Sequence, residues 1–110
     1  MGITKTELFT KTDNELALIA KALAHPARIA IVRRLLEVNA CVNGELVEEF
    51  GLAQATISQH LRELKTAGII QGNIEGTRVN YCINPVKWKE MEEVFGGLFN
   101  DYKGDKSDCC

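Results

Sequence analysis

Apolar residues recur at helical spacing along most of this chain, and the breaks between the runs predict five helices and one β-hairpin. Leu16, Ile19, Ala20 and Leu23 repeat with a period near 3.6, which predicts a first helix over residues 13–24 with Asp13 as its N-cap. His25-Pro26 ends that run, because the residue before a proline is pushed out of the α region while proline suits a first helical turn. A second helix then covers residues 26–38. Its inward positions are Ile29, Val32, Leu35 and Leu36, with Arg28, Arg33 and Arg34 left for solvent or acidic neighbours.

Residues 39–44 interrupt the pattern, and residues 45–50 form a short third helix with Leu46, Val47 and Phe50 inward. Gly51 follows where a left-handed residue closes a helix. A fourth helix over residues 54–67 buries Ile57, Leu61 and Leu64 and stops at Gly68. Residues 69–74 and 77–83 are rich in β-branched and aromatic side chains and flank Glu75-Gly76, which reads as a two-residue hairpin turn. The last helix, residues 86–98, carries Trp88, Met91, Val94, Phe95 and Leu98. That apolar stripe is larger than a small body needs, which predicts a dimer seam.

The fold class expected is mainly α with a small β-hairpin: a winged helix-turn-helix of about five helices plus a two-stranded wing. With 110 residues the chain is one domain, residues 1–99, followed by a flexible cysteine-terminated tail, residues 100–110. Charged residues at 25% and hydrophobic residues at 45% match an ordinary soluble protein. No secretory signal or membrane-length apolar run is visible, so a cytoplasmic location without membrane contact is expected.

The net charge of −2 gives no global basic signal for nucleic acid. The local pattern is different. The fourth helix gathers Gln54, Thr56, Ser58, Gln59 and His60 in its first two turns, and short or planar hydrogen-bonding side chains of this kind read base edges. Arg62 and Lys65 suit phosphate, and Arg78 lies near the hairpin tip. A polar outer face is also what any surface helix shows. Its position between a glycine turn and a basic-tipped hairpin is what favours double-stranded DNA as the partner.

Three blocks, LAHPARIAIVRRL, ELVEEFGLAQATISQHLRELKTAGII and IEGTRVNYCI, resemble the ArsR/SmtB family of metal-responsive repressors. The resemblance spans about Leu16 to Phe99. It implies a homodimer joined by the first and last helices and a recognition helix presenting Gln54, Ala55, Thr56, Ser58, Gln59 and His60. It also implies repression relieved by an effector that favours the weakly DNA-binding state; coupling of ~1–3 kcal/mol changes operator affinity 5–150-fold.

The cysteines direct the choice of effector. In a cytosolic chain Cys41, Cys82, Cys109 and Cys110 are expected to be reduced thiols. A family zinc site on the last helix needs histidine, and none is present there. Arsenic-sensing relatives carry Cys-Val-Cys ahead of an acidic residue, whereas this chain reads Cys41-Val42-Asn43-Gly44-Glu45. Cys109 and Cys110 are available to supply the missing sulfurs, since As(III) and Sb(III) prefer three soft thiolates. The metal set expected is therefore Cys41, Cys109 and Cys110, with As(III) or Sb(III) as inducer and no cofactor required. Cys82, in a hairpin strand, is expected to be structural. His25 is expected to cap or pack locally, and His60 to face DNA.

Two other readings stay open: a redox- or persulfide-sensing repressor of the same fold, and a winged helix that binds protein without an effector. An enzyme is not expected, because no Ser-His-Asp set, glycine-rich phosphate loop, paired catalytic carboxylates or HExxH motif is present.

Overall fold

The computed structural model describes residues 6–43, 51, 53–74 and 79–105. A 3-10 turn at Thr6–Leu8 leads into α1 (Lys11–Leu23) and α2 (Pro26–Val38); after residues outside this description come α3 (Gln54–Thr66), β1 (Ile70–Asn73), β2 (Asn80–Ile83) and α4 (Pro85–Asn100). Four α-helices and an antiparallel hairpin thus stand among the described residues. The short helix expected at residues 45–50 lies outside them.

Local chemistry sets each boundary. Thr10 caps α1, its Oγ1 accepting from the Asp13 amide at 3.0 Å. The cap is three residues earlier than expected, and Asp13 instead lies in the first turn, where its charge favours the helix dipole. His25 caps α2 by accepting from the Ala27 amide on Nδ1, and Pro26 follows in the first turn, as the sequence suggested. Asn39 ends α2 in the left-handed region. Asn84 caps α4 by accepting from both the Val86 and Lys87 amides.

The core gathers Ile19, Ile31, Leu35, Leu61, Leu64, Ile69, Ile70, Tyr81 and Met91, all buried, so the four α-helices and both strands contribute to one cluster. Full burial of such a side chain stabilises by roughly 1.5–3 kcal/mol. Along α2 the buried stripe is Ile31, Val32 and Leu35, whereas Ile29 and Leu36 are 40% and 47% exposed. At 100° per residue both sit about a quarter turn or more from the stripe's centre, which is why their inward assignment fails.

The hairpin pairs Ile70 with Ile83 and Asn73 with Asn80. A two-residue turn at Glu75-Gly76 with regular pairing would place Ile70 opposite Tyr81, which is not the register found; the turn itself, residues 75–78, lies outside the description. A further backbone pair joins Val42 to Tyr81, with Val42 N–H donating to Tyr81 O at 2.8 Å and Tyr81 N–H to Val42 O at 3.0 Å. The segment read as a plain interruption therefore adds a one-residue bridge along the edge of β2 opposite β1.

Candidate nucleic-acid interface

α3 is strongly two-sided. Ile57, Leu61 and Leu64 face the core, while Ala55, Thr56, Gln59 and Arg62 are exposed and Ser58 is half-buried. Gln54 opens the helix; its side chain lies outside the description. Gln59 Nε2 donates to Glu63 Oε1 and Arg62 donates to Gln59 Oε1, so the Gln59 amide is held in a row along the outer face. Thr56, Gln59 and Arg62 follow one another at three-residue intervals, which keeps them on one side of the helix.

His60 departs from expectation. It is 7% exposed, and its Nδ1 accepts from Arg28 Nε at 3.1 Å. Its ring lies 4.4 Å from that of His25. Arg28 also donates to the Ala22 carbonyl at the end of α1. The histidine expected at DNA is thus an internal strut between α3 and the α1–α2 corner, and the arginine expected in solvent joins all three helices. Desolvation first, then the neighbouring His25 and Arg28, lowers the His60 pKa below its ordinary value.

Lys65 has a partner as well. Its Nζ donates to the Gly72 carbonyl at 2.6 Å, tying the end of α3 to the hairpin. A lysine read from sequence as a phosphate contact holds the wing's base. Arg78, Cys109 and Cys110 lie outside the described residues, so the geometry bears on neither the wing-tip arginine nor the tail thiols.

Cys41 and Cys82 are joined by a disulfide, their Cα atoms 4.2 Å apart. This overturns the expectation of reduced thiols at both positions: Cys41 is not a free thiolate here, and Cys82, expected to be structural, is so as its bridge partner. The signal missed was register. Once Val42 pairs with Tyr81 in antiparallel fashion, residues 41 and 82 must be neighbours, and the mirrored dipeptides Cys41-Val42 and Tyr81-Cys82 record it. Among the described residues no group of three or more His, Cys, Asp or Glu side chains is placed to hold a metal ion. None of the described helices is long and apolar enough to cross a membrane.

Comparison with known proteins agrees with this geometry. The family model described as bacterial regulatory protein, arsR family, matches residues 25–71, from the His25 cap through α3 into β1. The HTH-type transcriptional repressor SmtB of Mycobacterium tuberculosis is 46% identical over 63 residues, 57% of this chain and 46% of that protein. The chain thus spans less than half the length of that relative. A biofilm growth-associated repressor of Xylella fastidiosa is 32% identical over 89 residues, covering 81% of this chain and 77% of the relative. Among solved structures, HlyU from Vibrio cholerae superposes with a TM-score of 0.64 at 28% identity, over 83% of this chain and 98% of that one; a second structure of it is described as reduced. The names of these relatives are those of regulators and not of enzymes. A two-sided α3 set against a hairpin, a matching family model and a relative aligned over most of both chains place this protein in the bacterial arsR family of regulatory proteins.

Proposed function

We propose that this chain is a DNA-binding transcriptional repressor that acts in the cytoplasm as a homodimer and leaves its operator when an effector alters its sulfur chemistry. The observation that carries the DNA reading is the exposed row Thr56, Gln59 and Arg62 on α3, a helix anchored to the core by Leu61 and Leu64 and to the hairpin by Lys65. A rigid helix with polar groups on one outer face and a ribbon beside it suits the major groove. Gln59 reads an adenine edge and Arg62 neutralises phosphate.

Two effector chemistries compete. Arsenite or antimonite held by Cys41, Cys109 and Cys110 requires free thiolates, because a disulfide sulfur has no charge to offer a soft ion. The Cys41–Cys82 bond favours the second, a thiol-redox repressor, since its making and breaking directly connects the end of α2 to the wing. A related regulator with a structure described as reduced supports attention to oxidation state.

The test is anisotropy titration of a duplex from the promoter of the chain's own gene, using oxidised protein, reduced protein, and reduced protein with arsenite. An operator affinity that differs between oxidised and reduced forms, with arsenite adding nothing further, supports the redox reading. Release only when arsenite is added to reduced protein returns the assignment to the trivalent metalloids. Arg62→Ala should weaken operator and random DNA alike and flatten the salt dependence by about one phosphate contact. Indifference of the wild-type protein to this duplex at low salt would sink the DNA reading.

A further inference from the structure

A cavity of about 430 Å³ opens beside the sulfur bridge, between α2, the end of the hairpin and the start of α4. Leu35, Leu36, Ile83 and Trp88 form its apolar walls, and Cys41 and Cys82 both line it. Cys41 is exposed and Cys82 half-buried, so Cys41 is the more open of the two residues to a visitor. The volume falls within the roughly 300–1,000 Å³ of small-molecule sites. None of the residues assigned to DNA lies in it.

The wall itself selects the occupant. A metal ion needs thiolates, and an electrophile needs a nucleophile; a disulfide provides neither. What a disulfide accepts is attack by another thiolate. Hydrogen sulfide would leave nearly all of this space empty, since a molecule of that size fills only some tens of Å³. The apolar walls and the indole of Trp88 instead match a ligand with a ring or short hydrocarbon body.

We propose that the cavity binds a small organic thiol with an apolar body and that this thiol exchanges with the Cys41–Cys82 disulfide. The ligand thiolate attacks Sγ of Cys41. A bond forms between the two sulfurs, the Cys41–Cys82 bond breaks, and its electron pair leaves with Sγ of Cys82, which takes a proton from water. A second ligand thiolate then attacks the ligand sulfur of the mixed disulfide, releasing the ligand disulfide and the Cys41 thiolate. Two thiols are oxidised and one protein disulfide is reduced. The immediate consequence is local: residues 41–43 lose their covalent tie to β2 and keep the Val42–Tyr81 hydrogen bonds. That consequence matters for repression only if the DNA reading above holds; the sulfur chemistry does not depend on it.

The test uses the oxidised full chain carrying Cys109→Ser and Cys110→Ser, so that only one sulfur pair reports. Benzyl mercaptan and glutathione are compared at equal thiolate concentration by intact mass, peptide mapping and emission of Trp88, the single tryptophan of the sequence. Benzyl mercaptan should form its adduct on Cys41 about tenfold faster, the effect of burying roughly two methylene groups, and should alter Trp88 emission. Trp88→Ala, or Leu36→Gln if the first variant folds poorly, should bring the two rates together while dithiothreitol reduces each variant as it does the parent. Equal rates in the parent chain, an adduct formed first on Cys82, or a preference that survives both substitutions would overturn the proposal. Cys41 adduct formation with the expected preference, in protein that never binds the promoter duplex, would leave the pocket assigned and reject the repressor reading alone.

Discussion

At the scale of single residues, His60 shows how a polar side chain inside a DNA-reading helix serves the fold. Arg28 donates to its Nδ1, so that nitrogen must carry a lone pair, and a proton there would face the guanidinium and His25 together. Its pKa therefore falls below 6.5 on folding, chiefly through burial. The unfolded chain takes up the His60 proton first as pH drops, so below about 6.5 the unfolded state binds more protons and stability declines with falling pH. The decline ends once the folded form protonates too. Urea unfolding of wild type and His60→Asn across this range should show a pH-dependent component that only the wild type has; identical slopes would contradict the assignment. Gly72 is a second such residue. Its φ of +129° is open to glycine, and the Asn80 carbonyl occupies the space a Cβ would take. Gly72→Ala should destabilise by about 1–3 kcal/mol, read as a lower urea midpoint with an unchanged m-value. Neither role was legible in the sequence, because His60 and Gly72 acquire their constraints from residues 32 positions before and eight or nine after.

At the scale of elements, the joint between α3 and the hairpin governs the proposed DNA face. Gly68 turns the chain out of α3 with φ of +83°, Ile69 N–H donates back to Leu64, and Lys65 reaches forward to Gly72. Because the Lys65 ammonium is committed to that carbonyl, Lys65→Met should weaken promoter binding while leaving the salt dependence nearly unchanged. Arg62→Ala should flatten it instead. A Lys65→Met slope reduced by about one contact would return this lysine to phosphate. Elements with strong periodicity were read correctly: α2 has the bounds expected, and α3 ends one residue early. Their boundaries depend on proline, glycine and apolar spacing, all local signals. The hairpin register and the Val42–Tyr81 pair were missed because they join residues 7 to 13 and 39 positions apart, and pairing across such separations leaves only a faint trace in either strand alone.

At the scale of the whole molecule, the outer surfaces of α1 and α4 remain to be accounted for. These helices pack against each other, yet Leu18 on α1 is 67% exposed, and Val86, Leu98 and Phe99 on α4 are 69%, 51% and 69% exposed. Exposed apolar side chains also occur on α2 and need no explanation singly, but three on α4 beside Leu18 of the helix packed against it suit an association surface. Of the stripe on the last helix, Met91 is buried, Trp88, Val94 and Phe95 are half-buried against the core, and Leu98 is left exposed. A second copy of the chain is the occupant expected, and a two-fold pair would set two α3 helices to read half-sites about 34–36 Å apart. Leu98→Glu combined with Phe99→Glu places charge on that surface without touching the described core. In sedimentation velocity the wild type should run as a dimer and the double variant as a monomer with an unchanged circular dichroism spectrum. Promoter affinity should fall steeply with it, because each half-site then binds alone and the gain from linkage is lost. A variant that stays dimeric would remove α4 from the interface, and a monomer that keeps full affinity would break the connection between pairing and DNA recognition.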